Sequence, residues 1–91
     1  MKRKSYESVW DAIEDSPAAA ENMKLRSSLM IALKNHIDAK GLNQSQAAAL
    51  FRVTQPRVSD LLRGKITLFS LDTLVNMVAA AGLHVEVKVA E

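Results

Sequence analysis

The chain contains three glycines, Gly41, Gly64 and Gly82, and each directly follows a stretch patterned as a helix. Glycine just beyond a helical run ends the helix, because it enters the left-handed conformation without a steric penalty. The helix starts are marked as clearly. Ser16 followed by Pro17 reads as an N-cap and a first helical position, where the missing N–H of proline costs nothing. From there to Lys40, Leu25, Leu29, Leu33 and Ile37 recur every four residues with Met30 beside them, a buried stripe on one long helix. Between Gly41 and Gly64 there is room for two short helices. Asn43 caps the first, with Gln46 three residues later as in a capping box, and this helix reaches about Phe51. Arg52 and Val53 form a tight connection. Thr54 caps the second, which tolerates Pro56 in its first turn and turns Val58, Leu61 and Leu62 inward. After a connection from Lys65 to Phe69, Ser70 caps a last helix with Asp72 in its first turn and Leu71, Leu74, Val75 and Val78 on its apolar face. Ahead of all these, Ser8 to Asp15 can form a short helix with Val9, Trp10 and Ile13 on one side, making five helices in total.

The tail changes period. Leu83, Val85, Val87 and Val89 alternate with His84, Glu86 and Lys88, which predicts a β-strand. No second strand-like run exists in the chain to pair with it. Pairing with the same strand of a second copy is therefore expected, with Val85, Val87 and Val89 in the dimer interface.

Composition removes several classes. Ninety-one residues make one modest domain. There is no cysteine, so neither disulfides nor thiolate metal sites arise. No apolar run approaches the roughly 20 residues of a membrane span. Lys2, Arg3 and Lys4 are not followed by the apolar core of a signal peptide, so a soluble cytoplasmic protein is expected. Catalysis is not expected. The two histidines, His36 near a helix end and His84 on the polar side of the tail, have no partner in metal-ligand spacing, and no cofactor is implied.

Charge is unevenly spread. Residues 24–66 carry eight basic side chains against Asp38 and Asp60, a net +6, while residues 1–23 and 67–91 are each net −2. A basic middle between acidic ends suits a polyanion partner, and equally a solvated charged surface.

Two short helices joined by a tight turn, the second with a polar outer face, form a helix-turn-helix. Ala47 or Ala48 supplies the small residue at the helix crossing, Val53 the apolar plug of the turn, and Val58 and Leu61 the inner face. The run Leu42-Asn43-Gln44-Ser45-Gln46-Ala47-Ala48, then Val53-Thr54-Gln55 and Leu61-Leu62-Arg63-Gly64-Lys65, resembles the XRE family, the helix-turn-helix fold of the phage repressors and Cro. Phe69-Ser70-Leu71-Asp72-Thr73-Leu74 followed by the valine-rich tail is similar to the short antitoxins of the HigA type. The resemblance implies a mainly α, five-helix bundle of the phage-repressor type, with a C-terminal β-strand paired in a dimer. Residues 1–23 would be an N-terminal extension, 24–82 the DNA-binding domain and 83–91 the dimerising strand. One departure stands out. The family usually has glycine where this chain has Arg52, a left-handed turn position that costs another residue on the order of 1 kcal/mol. Either the turn is altered or Arg52 offsets the strain by contacting phosphate.

The resemblance also implies that the helix from Thr54 to Arg63 lies in the major groove. Gln55 can then pair with adenine, and Arg57 can reach guanine or a flanking phosphate. Pro56 offers an apolar contact to a thymine methyl, or simply stiffens the helix start. Asp60 accepts from a cytosine amino group, repels wrong sequences, or orients Arg57 or Arg63, with the orienting role preferred. Gln44, Arg52, Thr54, Arg63 and Lys65 are the candidates for phosphate contacts. A two-fold dimer would read a palindromic operator in double-stranded DNA. The function implied is a transcriptional repressor, the antitoxin of a type II toxin–antitoxin pair that autoregulates its operon and binds a cognate toxin. A stand-alone XRE-type regulator and a protein-interaction module that has lost its DNA site are the alternatives. The Trp10 stripe would dock on a toxin or pack on its own core, the second being preferred.

Overall fold

A computed structural model describes residues 16–91. The expected helix from Ser8 to Asp15 and the Trp10 stripe lie outside the described residues. Within them the chain forms α1 (Pro17–Lys40), α2 (Gln44–Phe51), α3 (Gln55–Leu62), a single 3-10 turn (Ile66–Leu68) and α4 (Leu71–Ala80). Each α-helix starts on a side chain that satisfies an otherwise unpaired N–H. Ser16 accepts from Ala19, Thr54 from Arg57 and Ser70 from Thr73. At α2 the capping box is complete: Asn43 Oδ1 accepts from the Gln46 N–H at 2.8 Å, and Gln46 Oε1 accepts from the Asn43 N–H at 2.9 Å.

All four α-helices end with the same bond, in which an N–H just beyond the helix reaches back five residues to a carbonyl of its last turn. The four are Leu42 to Ile37, Val53 to Ala48, Lys65 to Asp60 and Leu83 to Val78, each 3.0 or 3.1 Å long. This wrap requires a left-handed residue immediately before the donor. The three glycines fill three of those places with φ between 63° and 79°, and Arg52 fills the fourth with φ 60° and ψ 45°. The turn is therefore not altered: Arg52 adopts the conformation that glycine would.

The helices enclose one core. Leu29, Met30, Leu33 and Ile37 of α1 meet Ala47, Ala48 and Phe51 of α2, Val58 and Leu61 of α3, and Leu74, Met77 and Val78 of α4, with Phe69 added from the connection. α1 packs against α4, and α2 packs against both α3 and α4. In α4 the buried face is rotated from the sequence expectation. Met77 is buried and Val75 is exposed, because the 3.6-residue period from Leu74 reaches Met77 and Val78 together. In α1, Leu25 is only half-buried.

The expected five-helix bundle with a C-terminal β-strand is corrected. The described residues hold four α-helices and no strand. Residues 83–91 have no regular structure. Leu83 and Val85 pack against the core of their own chain, while Val87 and Val89 are exposed. The first half of the alternating pattern has another cause: Leu83 and Val85 are half-buried against the helices while His84 and Glu86 are exposed. A strand is defined by its hydrogen-bonded ladder, and the described residues offer no second strand to make one.

Candidate nucleic-acid interface

α2 and α3 are eight residues each and are joined by Arg52, Val53 and Thr54. So tight a turn demands small residues where the helices meet, and Ala47 and Ala48 are buried there with Val53 packed against the core. This pins the start of α3, and Thr54, Gln55 and Pro56 are all exposed. Helical residues advance by about 100° each, so Val58 and Leu61, both fully buried, define the inner side of α3. Pro56, Ser59, Asp60 and Arg63 fall on the opposite side. Gln55 and Arg57 lie on its two margins, Gln55 exposed and Arg57 half-buried beside the Leu61 side.

The other expected contact residues are placed as follows. Gln44 is exposed in the first turn of α2. Arg52 and Arg63 are exposed and make no side-chain hydrogen bond or ion pair with a described residue. The Lys65 ammonium stands 3.9 Å from Asp60 Oδ1 at the rim of α3. Asp60 thus pairs with Lys65, neither with Arg57 nor with Arg63. An exposed pair of this kind contributes little to stability, and its effect is to offset one positive charge beside the outer face.

Arg57 is engaged within the protein. Its Nη1 donates to the Leu68 carbonyl at 2.8 Å, and its guanidinium carbon sits 5.2 Å from the centre of the Phe69 ring. A guanidinium stacked on an aromatic face gains on the order of 0.5–1 kcal/mol at an exposed site. A second arginine holds the same stretch. Arg26 of α1 donates from Nη1 to the carbonyls of Ile66 at 3.2 Å and Phe69 at 3.3 Å, and its Nε donates to Asn22 Oδ1 at 2.6 Å. Arg26 was not singled out by sequence reasoning. It nevertheless lies on one helical line with Met30, Leu33 and Ile37, so a cation there was already a departure from the surrounding pattern. Two of the eight basic residues of the +6 middle are thus spent on backbone carbonyls rather than offered to a polyanion.

The family comparison decides what this arrangement is. The helix-turn-helix domain family matches residues 12–90. The chain belongs to that family. No curated protein matches it. The helix-turn-helix is the α2–turn–α3 unit, and its family makes the chain a DNA-binding regulator. The matched span includes residues 83–90, whose Leu83 and Val85 complete the core of the helix-turn-helix domain. No helix among the described residues is long and apolar enough to cross a membrane. The expected dimer-interface residues divide. Val85 is half-buried on its own chain, whereas Val87 and Val89 are 61% and 91% exposed, Val87 bordering a groove with Leu25 and Ser28 of α1.

Proposed function

We propose that this helix-turn-helix protein is a sequence-specific transcriptional repressor, the antitoxin of a type II toxin–antitoxin pair that represses its own operon. The observation that carries DNA reading is the exposed first turn of α3, with Gln55 and Pro56 standing clear of the protein at the end of a rigid, capped turn. An α-helix fits the major groove, and there a glutamine side chain forms two hydrogen bonds with adenine. Pro56 and Asp60 complete the base-facing surface. Gln44, Thr54, Arg52, Arg63 and Lys65 flank it and meet phosphates, which fix register without reading sequence. One monomer presents a single recognition helix, so the DNA-bound form is a homodimer on a palindrome with half-sites about 34 Å apart. The similarity of the Phe69 to Leu74 segment to HigA-type antitoxins supports the toxin partner. Toxin occupancy then tunes repression, because linked binding equilibria are reciprocal.

The test is fluorescence anisotropy on the DNA upstream of this gene against a scrambled duplex, at two salt concentrations, repeated with Gln55→Ala. Preference for the upstream duplex, lost in Gln55→Ala, is expected. Equal and weak binding to both duplexes would leave only charge attraction and defeat the repressor reading. For the antitoxin role, a toxin-like reading frame beside the gene is co-expressed with it. A stable complex that changes operator affinity is expected, and failure of every adjacent product to bind removes the antitoxin reading while leaving the repressor.

A further inference from the structure

We propose that Arg57 is a positioning residue of the DNA-reading unit, one that sets the pose of α3 through the 66–69 segment and touches no DNA itself. The proposal rests on the DNA-binding reading above.

Three observations converge on it. First, Arg57 leaves α3 on the margin beside buried Leu61, away from Pro56, Ser59, Asp60 and Arg63. Second, both faculties of its side chain are in use. The planar fork donates to the Leu68 carbonyl at 2.8 Å, and the flat guanidinium lies over the Phe69 ring, whose side chain is 1% exposed and cannot move away. Third, the segment it holds is also held by Arg26 of α1.

The 3-10 turn is only three residues long, and of the carbonyls the arginines meet, that of Ile66 also accepts from the Phe69 N–H at 3.2 Å. The two arginines supply donors to Ile66, Leu68 and Phe69. Segment 66–69 is thereby a bridge with α1 fastened at one side and the recognition helix at the other. α3 is just eight residues long and packs on α2 and α1, and the bridge adds a further constraint on the angle at which its outer face is presented. For Arg57 to reach a base or phosphate, it would have to leave both the Leu68 carbonyl and the Phe69 ring.

Lysine carries the same charge but neither the planar fork nor the stacking surface, so the two substitutions separate the roles. The full-length protein, Arg57→Lys and Arg57→Ala are compared under conditions where circular dichroism shows all three folded. Three quantities are read: affinity for the upstream duplex and for single-base variants of it, the salt dependence of that affinity, and amide hydrogen exchange at Leu68 and Phe69. The expected result is that Lys and Ala behave alike. Both lose about tenfold in operator affinity, evenly across base positions and with an unchanged salt slope, and both show faster exchange at Leu68 and Phe69.

Three results overturn the proposal. Wild-type affinity in Arg57→Lys, with a salt slope lowered by about one in Arg57→Ala, makes Arg57 a phosphate contact. Loss of preference at a single base pair makes it a base reader. Faster exchange with full operator affinity makes it a purely structural fastener. Should the wild-type protein prefer no duplex at all, the DNA-reading assignment fails, and the positioning role falls with it. The clasp itself would then be judged by exchange alone, with unchanged exchange in Arg57→Ala refuting it.

Discussion

Arg52 is the residue at which stability and function pull apart. It is the sole non-glycine with positive φ among the described residues, and it occupies the position that completes the end of α2. The left-handed conformation costs an ordinary residue roughly 1 kcal/mol, part of which glycine would give back through its freer unfolded state. Arg52→Gly is therefore expected to stabilise the fold by up to about 1 kcal/mol, seen as a rise in Tm of a few degrees. If the exposed guanidinium meets a phosphate as proposed, the same variant binds the upstream duplex more weakly and with a salt slope smaller by about one. A stabilised variant with unchanged DNA affinity would show that Arg52 is kept for another reason. In the core the sign is simple. Leu33 has no exposed surface and sits where α1 meets the rest of the bundle. Leu33→Ala should cost about 2–5 kcal/mol, measured as a lower denaturation midpoint in urea at unchanged slope.

At the scale of elements, the helix-turn-helix is held by local devices that are readable in order along the chain. Asn43 and Gln46 close a reciprocal capping box, and Thr54 caps the next helix. Asn43→Ala removes the side-chain acceptor and leaves the Gln46 N–H unpaired. A loss of about 1 kcal/mol is expected, with hydrogen exchange accelerated in the first turn of α2 before the rest of the domain. These signals were legible because each involves residues three or four apart. The clasp on segment 66–69 was not. Arg26 is forty residues from Ile66 and Arg57 eleven from Leu68, and no local rule assigns an arginine to so distant a carbonyl. The C-terminal segment misled for a related reason. Alternation reports that every second side chain faces something apolar, and it does not say whether that surface is a sheet or the flank of a helical bundle.

For the whole molecule, the proposed homodimer needs a surface on which two copies meet. Val87 and Val89 present apolar side chains to solvent, Val87 beside a groove along α1. They are the part of the expected interface not used by the chain's own core. Replacing both with aspartate should convert a dimer to a monomer by light scattering and weaken operator binding, while the Tm of the isolated domain changes little. Retained dimers would place the interface elsewhere. The double substitution is more informative than removal of residues 83–91, because Leu83 and Val85 contribute to the core and their loss would unfold part of the domain.

By itself the sequence determined where each described helix begins and ends and that α2 and α3 form a helix-turn-helix. Caps, glycines and apolar periodicity act over a few residues, so their outcome does not wait for the rest of the fold. The tertiary structure decided three other things. It rotated α4 to bury Met77, laid Leu83 and Val85 of the tail on the bundle in place of a strand, and drew Arg26 and Arg57 to carbonyls of the 66–69 segment. Each depends on surfaces and polar groups that exist only once distant segments have been brought together.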